Sequence, residues 1–458
     1  MINNKFFFIL CTFLCYPSIF FSQDQQKDLY DIYLVAIKKD VILRKYMANT
    51  EADIVDIQGK KGELYPQVNV KGKEEIREIE KTIIPAYKRH YRTIDLRLDQ
   101  VILDVNKWET YQQSKSMAMG SIENLKEQRQ DLMIRTAQSY FEVLKGLDAR
   151  DAADKAFNAF ETKLQNAKRK IASGVINQSD MADAQAKKDL SESLIIEKTK
   201  LLENKKQTLN EILSFPIAQR HFARLPQEIR PPQLIYPASV SKWLAIASRY
   251  SPILKEAYYK KITAQKALYA TQGNLVPTIG FYAKLRGGND ENITLENSPT
   301  RKFLHSFQMG LDFSDPNLNP YQTLSQSEKM RDEFHQSDID IEKKRRQINH
   351  VVQFYFSKAQ GSIKKIEALK SALEAQKQSL EGIGKGLDAG RRTNWELLDQ
   401  VTKTYDAEIA YRTAYYDYFM SVLWLKRACG ILTPKDLKTI SVLWLDQAEP
   451  FKKTTVNQ

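Results

Sequence analysis

Two long stretches of this chain contain no proline, residues 86–215 and 321–433. A proline inside a helix removes a backbone hydrogen bond and clashes with the preceding turn, at a cost of about 3 kcal/mol. Stretches this long without one are where long helices can form. Both are rich in Ala, Lys, Glu, Gln and Leu, which lose little freedom in a helix. The periodicity agrees. Ile348, Val352, Tyr355, Ala359, Ser362, Ile366, Leu369, Leu373, Gln376 and Leu380 step alternately by four and three, a heptad seam. Met133, Ala137, Tyr140, Leu144 and Leu147 keep the same step, and Phe157, Phe160, Leu164, Ala167 and Ile171 resume it. The spacing predicts long helices near 105–173, 177–215, 321–385 and 393–432. At about 1.5 Å per residue the first would reach on the order of 100 Å, far beyond the span of a compact domain.

The segments between these helices alternate with period two. Phe303, His305, Phe307, Met309, Leu311 and Phe313 interleave with Leu304, Ser306, Gln308, Gly310 and Asp312. Ile94, Leu96, Leu98 and Ile102 interleave with Thr93, Asp95, Arg97, Asp99 and Val101. Runs of about ten such residues have the length of a transmembrane β-strand. Strands are expected near 67–73, 92–102, 278–286 and 302–313, with polar loops at 74–91 and 287–301. Water-soluble hairpins with one buried face are the alternative on pattern alone.

The amino terminus sets the compartment. Lys5 precedes Phe6 to Phe21, which carry no charge, and the polar run Gln23-Asp24-Gln25-Gln26 follows Ser22. This is the pattern of a signal peptide, residues 1–22, with an uncleaved anchor as the alternative. Beyond Ser22 no apolar run is long enough to span a bilayer as a helix, so insertion would require a β-barrel. The formal charge of +13 permits contact with nucleic acid or anionic lipid, but an exported chain has little access to nucleic acid. The one cysteine after the signal, Cys429, can form no internal disulfide and is expected to be a buried, inert thiol. The five histidines (90, 221, 305, 335 and 350) show no metal-ligand spacing, and no nucleophile motif is present. Neither a metal, a cofactor nor an enzymatic activity is expected.

The two halves repeat. Leu64-Tyr65-Pro66 matches Leu275-Val276-Pro277, Tyr140-Phe141 matches Tyr355-Phe356, and Gly174-x5-Asp180-x2-Asp183 matches Gly390-x5-Glu396-x2-Asp399. A first repeat at 23–215 and a second at 241–433 are joined by the proline-dense residues 216–240 and followed by a tail, 434–458.

This order of elements, the duplication, the L-x-P steps into each hairpin, the two glycine turns and the closing run Tyr411 to Leu432 resemble the TolC-type outer-membrane channels. The resemblance covers about residues 25–435 and implies a mainly α fold with β. It implies a homotrimer whose twelve strands form an outer-membrane barrel that continues into a periplasmic α-helical barrel. It implies an exit duct for tripartite efflux or type I secretion, opened at its tip by a periplasmic adaptor and an inner-membrane transporter of RND, ABC or MFS type. Outer-membrane lipid would surround the barrel. The competing reading is a non-channel periplasmic coiled-coil protein, which has no need of duplicated period-two segments.

The resemblance also assigns sites. Gly174, Val175, Gly390 and Arg391 would form the periplasmic helix turns and the adaptor-docking surface. Glu396 and Asp399, spaced i, i+3, match the acidic pair that rings the narrow entrance, where mutual repulsion would raise carboxylate pKa values. Arg392 and Asp180 match a closing ion pair, with Arg391 as a spare cation. Leu387 replaces the usual aromatic before the turn. The glycines at 382, 384 and 386 are expected to soften a coil end that moves. Trp108 and Tyr321 sit where a membrane belt or a strand-to-helix bend would place them. Trp395 and the stripe Tyr411, Tyr415, Tyr418, Val422, Leu425 are expected to pack within coils.

Overall fold

The computed structural model describes residues 28–81, 84–172, 178–214, 222, 224–225, 236–293, 300–314 and 320–445. The signal-peptide residues lie outside these, as do Gly174 and Val175. Within the proline-free stretches the expected long helices form, the first starting only after strand residues that run to Leu103. Helix α3 runs Val105–Ala172 and α7 runs Pro320–Asp388, 68 and 69 residues. Each turns into a shorter return helix, α4 (Gln178–Leu213) and α8 (Asn394–Ala428). The heptad seam of α7 is buried at Ile348, Val352, Ala359, Ser362, Ile366 and Leu373. It includes polar seam positions: Gln376 accepts from Gln400 Nε2 at 2.6 Å, and Ser362 Oγ donates to Lys358 O at 2.8 Å.

Shorter helices precede each hairpin. They are α1 (Leu29–Lys39) and α2 (Val41–Gly62) in the first half, α5 (Val240–Tyr250) and α6 (Pro252–Gly273) in the second. The stretch expected as a tail contains α9 (Pro434–Leu445), which packs on α1. There the Tyr30 N–H donates to Ser441 Oγ at 3.2 Å, and Leu437 and Ile440 are buried. Tyr140, Phe141, Tyr416 and Phe222 form the aromatic heart of this collar, with Phe141 stacked on Tyr416 at 5.8 Å. Cys429 is fully buried, its S–H donates to Trp243 O at 3.5 Å, and burial pushes its pKa up to about 12.

Four strands form one antiparallel sheet in sequence order: β1 (Gln67–Lys81), β2 (Ile84–Leu103), β3 (Thr278–Ile293) and β4 (Thr300–Ser314). The strands are longer than their alternation predicts. Glu74, Glu75 and the Gly287 to Ile293 run, expected in loops, continue the ladders. Charge pairing across strands holds this part together: Glu74 Oε1 contacts both Arg92 Nε and His90 Nε2 at 2.9 Å. Both faces are polar there, so no alternation marks it.

In the upper helical region α3 lies between α2 and α6, and α6 lies between α3 and α7. Lys266–Glu109 at 3.0 Å ties α6 to α3, and Lys261–Asp338 at 2.8 Å ties α6 to α7. The row therefore ends in two open edges, α2 and α7.

Candidate channel wall and periplasmic entrance

Register decides what the sheet can do. Val70, Leu96, Leu285 and Phe307 lie in one cross-strand row, and Val68, Leu98, Ala283 and Met309 in the next but one. The alternation of all four strands is thus in phase, and one face is apolar from edge to edge. Phe307, Met309, Leu311 and Phe313 on that face are each more than half exposed. His305 to Phe313 covers about 27 Å along the strand, which a tilt near 40° reduces to about 20 Å across a bilayer.

The opposite face is polar. Lys71, Asp95, Arg286 and Ser306 form one of its rows, and Asn69, Arg97, Lys284 and Gln308 another. Asp95 binds Arg286 at 2.6 Å and Lys284 at 3.4 Å, and Arg97 binds Asp99 at 2.7 Å and lies over the Tyr282 ring. A sheet with one greasy and one charged face suits a barrel wall between lipid and water. Among the described residues its outer edges, on β1 and β4, have no further strand partner. Open edges are not tolerated in lipid. Where the strands bend into helices, Trp108 and Tyr321 are 50% and 83% exposed, as residues facing a membrane boundary would be.

At the far end, the α7–α8 turn is built from local rules. Gly390 has φ +68°, a conformation that costs glycine nothing. The Arg391 N–H returns to Gly386 O at 2.8 Å and the Gly390 N–H to Leu387 O at 3.0 Å, the two bonds of a Schellman ending. Thr393 then caps α8. Its Oγ1 accepts the Glu396 N–H at 3.2 Å, while Glu396 Oε2 accepts the Thr393 N–H at 2.9 Å. This reciprocal capping box satisfies two otherwise orphaned donors.

Glu396 is therefore structural within its own subunit. It also takes a bond from Arg392 Nη1 at 3.1 Å. The Thr393 backbone N–H and then Arg392 hold its carboxyl below the usual range, opposite to the rise that a crowded ring would cause. Asp399, one turn further along, pairs with Lys403 at 2.7 Å. Arg392 is thus turned toward Glu396; the side chain of Asp180, its expected partner, lies outside the described residues. Arg391 is exposed beside the turn.

Gly386 plays a different part from the expected softening. A Cβ there would sit 2.8 Å from Arg392 Cγ, whereas Gly382 and Gly384 face open space. The missing side chain at 386 is what lets Arg392 fold back over the helix end. One further contact was hidden in the sequence. Lys187 Nζ on α4 stands 4.2 Å from the centre of the Trp395 ring on α8. It joins the first coil pair to the second at the tip, supported by Phe160 and Leu398 packed between α3 and α8. Nothing distinguished Lys187 from the many other lysines until the fold brought it there.

A two-faced sheet joined directly to helices of about 100 Å defines an outer-membrane channel with a periplasmic conduit. Comparison with known proteins agrees. Residues 43–214 match the family model described as outer membrane efflux protein. The chain is 23% identical to the outer membrane protein TolC of Vibrio cholerae over 91% of its own length and 93% of that protein. It is 22% identical to the alkaline protease secretion protein AprF of Pseudomonas aeruginosa, over 78% and 73% of the two chains. The solved structure of the Campylobacter jejuni CmeC outer membrane channel superimposes with a TM-score of 0.78 at 14% identity, over 92% of this chain and 90% of that one. The chain thus resembles the outer membrane efflux proteins, whose members form trimeric channels of the Gram-negative outer membrane that extend into the periplasm.

Proposed function

We propose that this chain works as a homotrimeric exit duct, opened at its periplasmic tip by an adaptor protein and an inner-membrane transporter of RND, ABC or MFS type. The observation that carries the reading is the in-phase register of the four strands, which makes one face fit for lipid and the other for water. A periplasmic coiled-coil scaffold would gain nothing from such a sheet. The chain divides into repeats at 23–215 and 241–433 with a linker at 216–240, and each repeat contributes two strands and one long coil pair.

The tip is the gate. Glu396 and Asp399 ring the entrance in three copies, so that the narrowest part of the path favours cations. The turns at Gly174, Val175, Gly390 and Arg391 receive the adaptor. Opening moves α8 relative to α4, exchanging resting contacts, among them Lys187–Trp395 and an Asp180–Arg392 or Asp180–Arg391 pair, for adaptor contacts.

Single-channel conductance of the detergent-extracted protein in a planar bilayer tests this. A small cation-selective conductance is expected, and Glu396→Ala with Asp399→Ala should remove the selectivity. Silence from the folded protein, and also from an Arg391/Arg392 double substitution, would refute the channel reading. A pore indifferent to the acidic pair would refute the site alone.

A further inference from the structure

Lys206 lies on the face of α4 that packs against α3, between the buried residues Leu202 and Leu209, and is only 8% exposed. Its Nζ has no hydrogen-bond partner among the described residues, and neither has the buried Nε of Arg150 on α3. Helix direction brings the two together. Side chains lean toward the N-terminus of their own helix. The helices are antiparallel, so Arg150 leans toward the level of Gly146 and Lys206 toward the level of Leu202. Those levels coincide: a Cβ on Gly146 would lie 3.1 Å from Leu202 Cδ1.

The nearby acids are already engaged. Asp151 pairs with Arg224, Asp148 accepts from the Tyr416 hydroxyl and contacts Arg412, and Glu142 binds Lys145 and Lys205. Asp154 stands 3.4 Å from Arg150 Nε without completing a hydrogen bond. Burial, then the charge of Arg150 and, more weakly, that of Arg224, push the Lys206 pKa below its usual value against the pull of Glu203. Arg224 also lines a cleft of about 190 Å³, where Lys155 and Arg412 are matched by Asp148, Asp151 and Glu408.

A buried ammonium without a partner is costly. It can lose its proton or gain a counter-ion. Proton loss would still leave Arg150 Nε unsatisfied. An anion would accept from both donors and offset the surplus charge. We propose that Lys206 and Arg150, with Arg224 at the rim, form a binding site for a small inorganic anion of chloride size, which fastens the linker residue Arg224 to the α3–α4 coil.

The test uses the full-length protein in detergent. Melting is followed while sodium chloride replaces sodium gluconate at constant ionic strength, and crystals are soaked in bromide. For the native protein the expected results are a rise in Tm of about 1–2 °C with chloride and an anomalous bromide peak between Lys206 and Arg150. Lys206→Met should melt higher than native protein in gluconate, because a lone buried charge is gone, and should neither respond to chloride nor show the peak. Lys206→Gln serves if the methionine variant does not fold. Absence of the bromide peak from the native protein would overturn the proposal, leaving a neutral lysine beside water. A chloride response that survives in the Lys206 variants would overturn it as well.

Discussion

The contact between Lys187 and Trp395 can be tested as a quantitative link across the proposed gate. The ammonium is 4.2 Å from the ring centre, close for a cation–π pair, but the indole is 52% exposed. Partial hydration places the contact at about 0.5–1 kcal/mol per copy. If opening breaks all three copies together, the closed state loses about 1.5–3 kcal/mol, a change of about 10- to 150-fold in the open-to-closed ratio. The variants are Lys187→Met, which keeps the aliphatic stem, Trp395→Leu, and both together. Open probability would be read from single channels, and trimer melting would report any loss of fold. Each single variant should raise open probability by a similar factor, and the double variant should add little more. Lys187→Arg should stay near the native value. If the two single effects simply multiply in the double variant, the residues act independently and the reasoning fails.

Two further outcomes follow from the turn. Gly386→Ala should raise helix stability by up to about 1 kcal/mol yet push Arg392 off Glu396, altering channel opening; Gly382→Ala, which faces open space, should stabilise without altering it, and identical conductance changes in both would contradict the packing argument. The Glu396 carboxyl is held below its unfolded value of 4.5, so its contribution is fully present above that value and fades as pH falls through the folded pKa. The Tm difference between native protein and Glu396→Gln should therefore be constant from pH 7 to 5.5 and vanish only below 4.5; loss above 4.5 would mean that repulsion around the trimer ring outweighs the cap.

Much of this architecture was legible because it is written in long-period signals. Missing prolines marked α3 and α7, and the seam from Ile348 to Leu373 marked the buried side of α7. Strand β4 was visible because lipid on one side and water on the other force strict alternation. The outer parts of β1 and β2 were not, because charged residues on both faces leave period two without contrast. Helix α1 did carry a signal, with Leu29, Ile32, Tyr33 and Ala36 at helical spacing and all buried, but eleven residues are easily passed over beside a 68-residue neighbour. At the tip, Thr393-Asn394-Trp395-Glu396 is a readable capping box, although the resemblance drew attention to Glu396 as a ring carboxylate. The Lys187–Trp395 pair and the Gly386–Arg392 contact depend on tertiary placement, which no local pattern encodes.

The two open edges of the subunit also explain why a ring is the natural assembly. Strand β1 follows α2 in the chain and β4 precedes α7, so each edge of the sheet continues into an edge of the helical row. A rotation that pairs β4 of one copy with β1 of the next therefore brings α7 beside the neighbouring α2. Val41, Ile42, Ile54 and Val55 on α2 and Leu324 and Ile339 on α7 are exposed in the single chain and suit that junction. Closing one wall closes the other, and the polar face of the sheet is then committed to the interior. The described charges on that face nearly cancel, with Lys71, Lys73, Arg97, Lys284 and Arg286 set against Glu75, Asp95, Asp99 and Asp312. An almost neutral barrel discriminates weakly between ions. With the entrance proposed at the turn that carries Glu396 and Asp399, ion preference would be set there, and substitutions on the polar face of the sheet should change conductance more than selectivity.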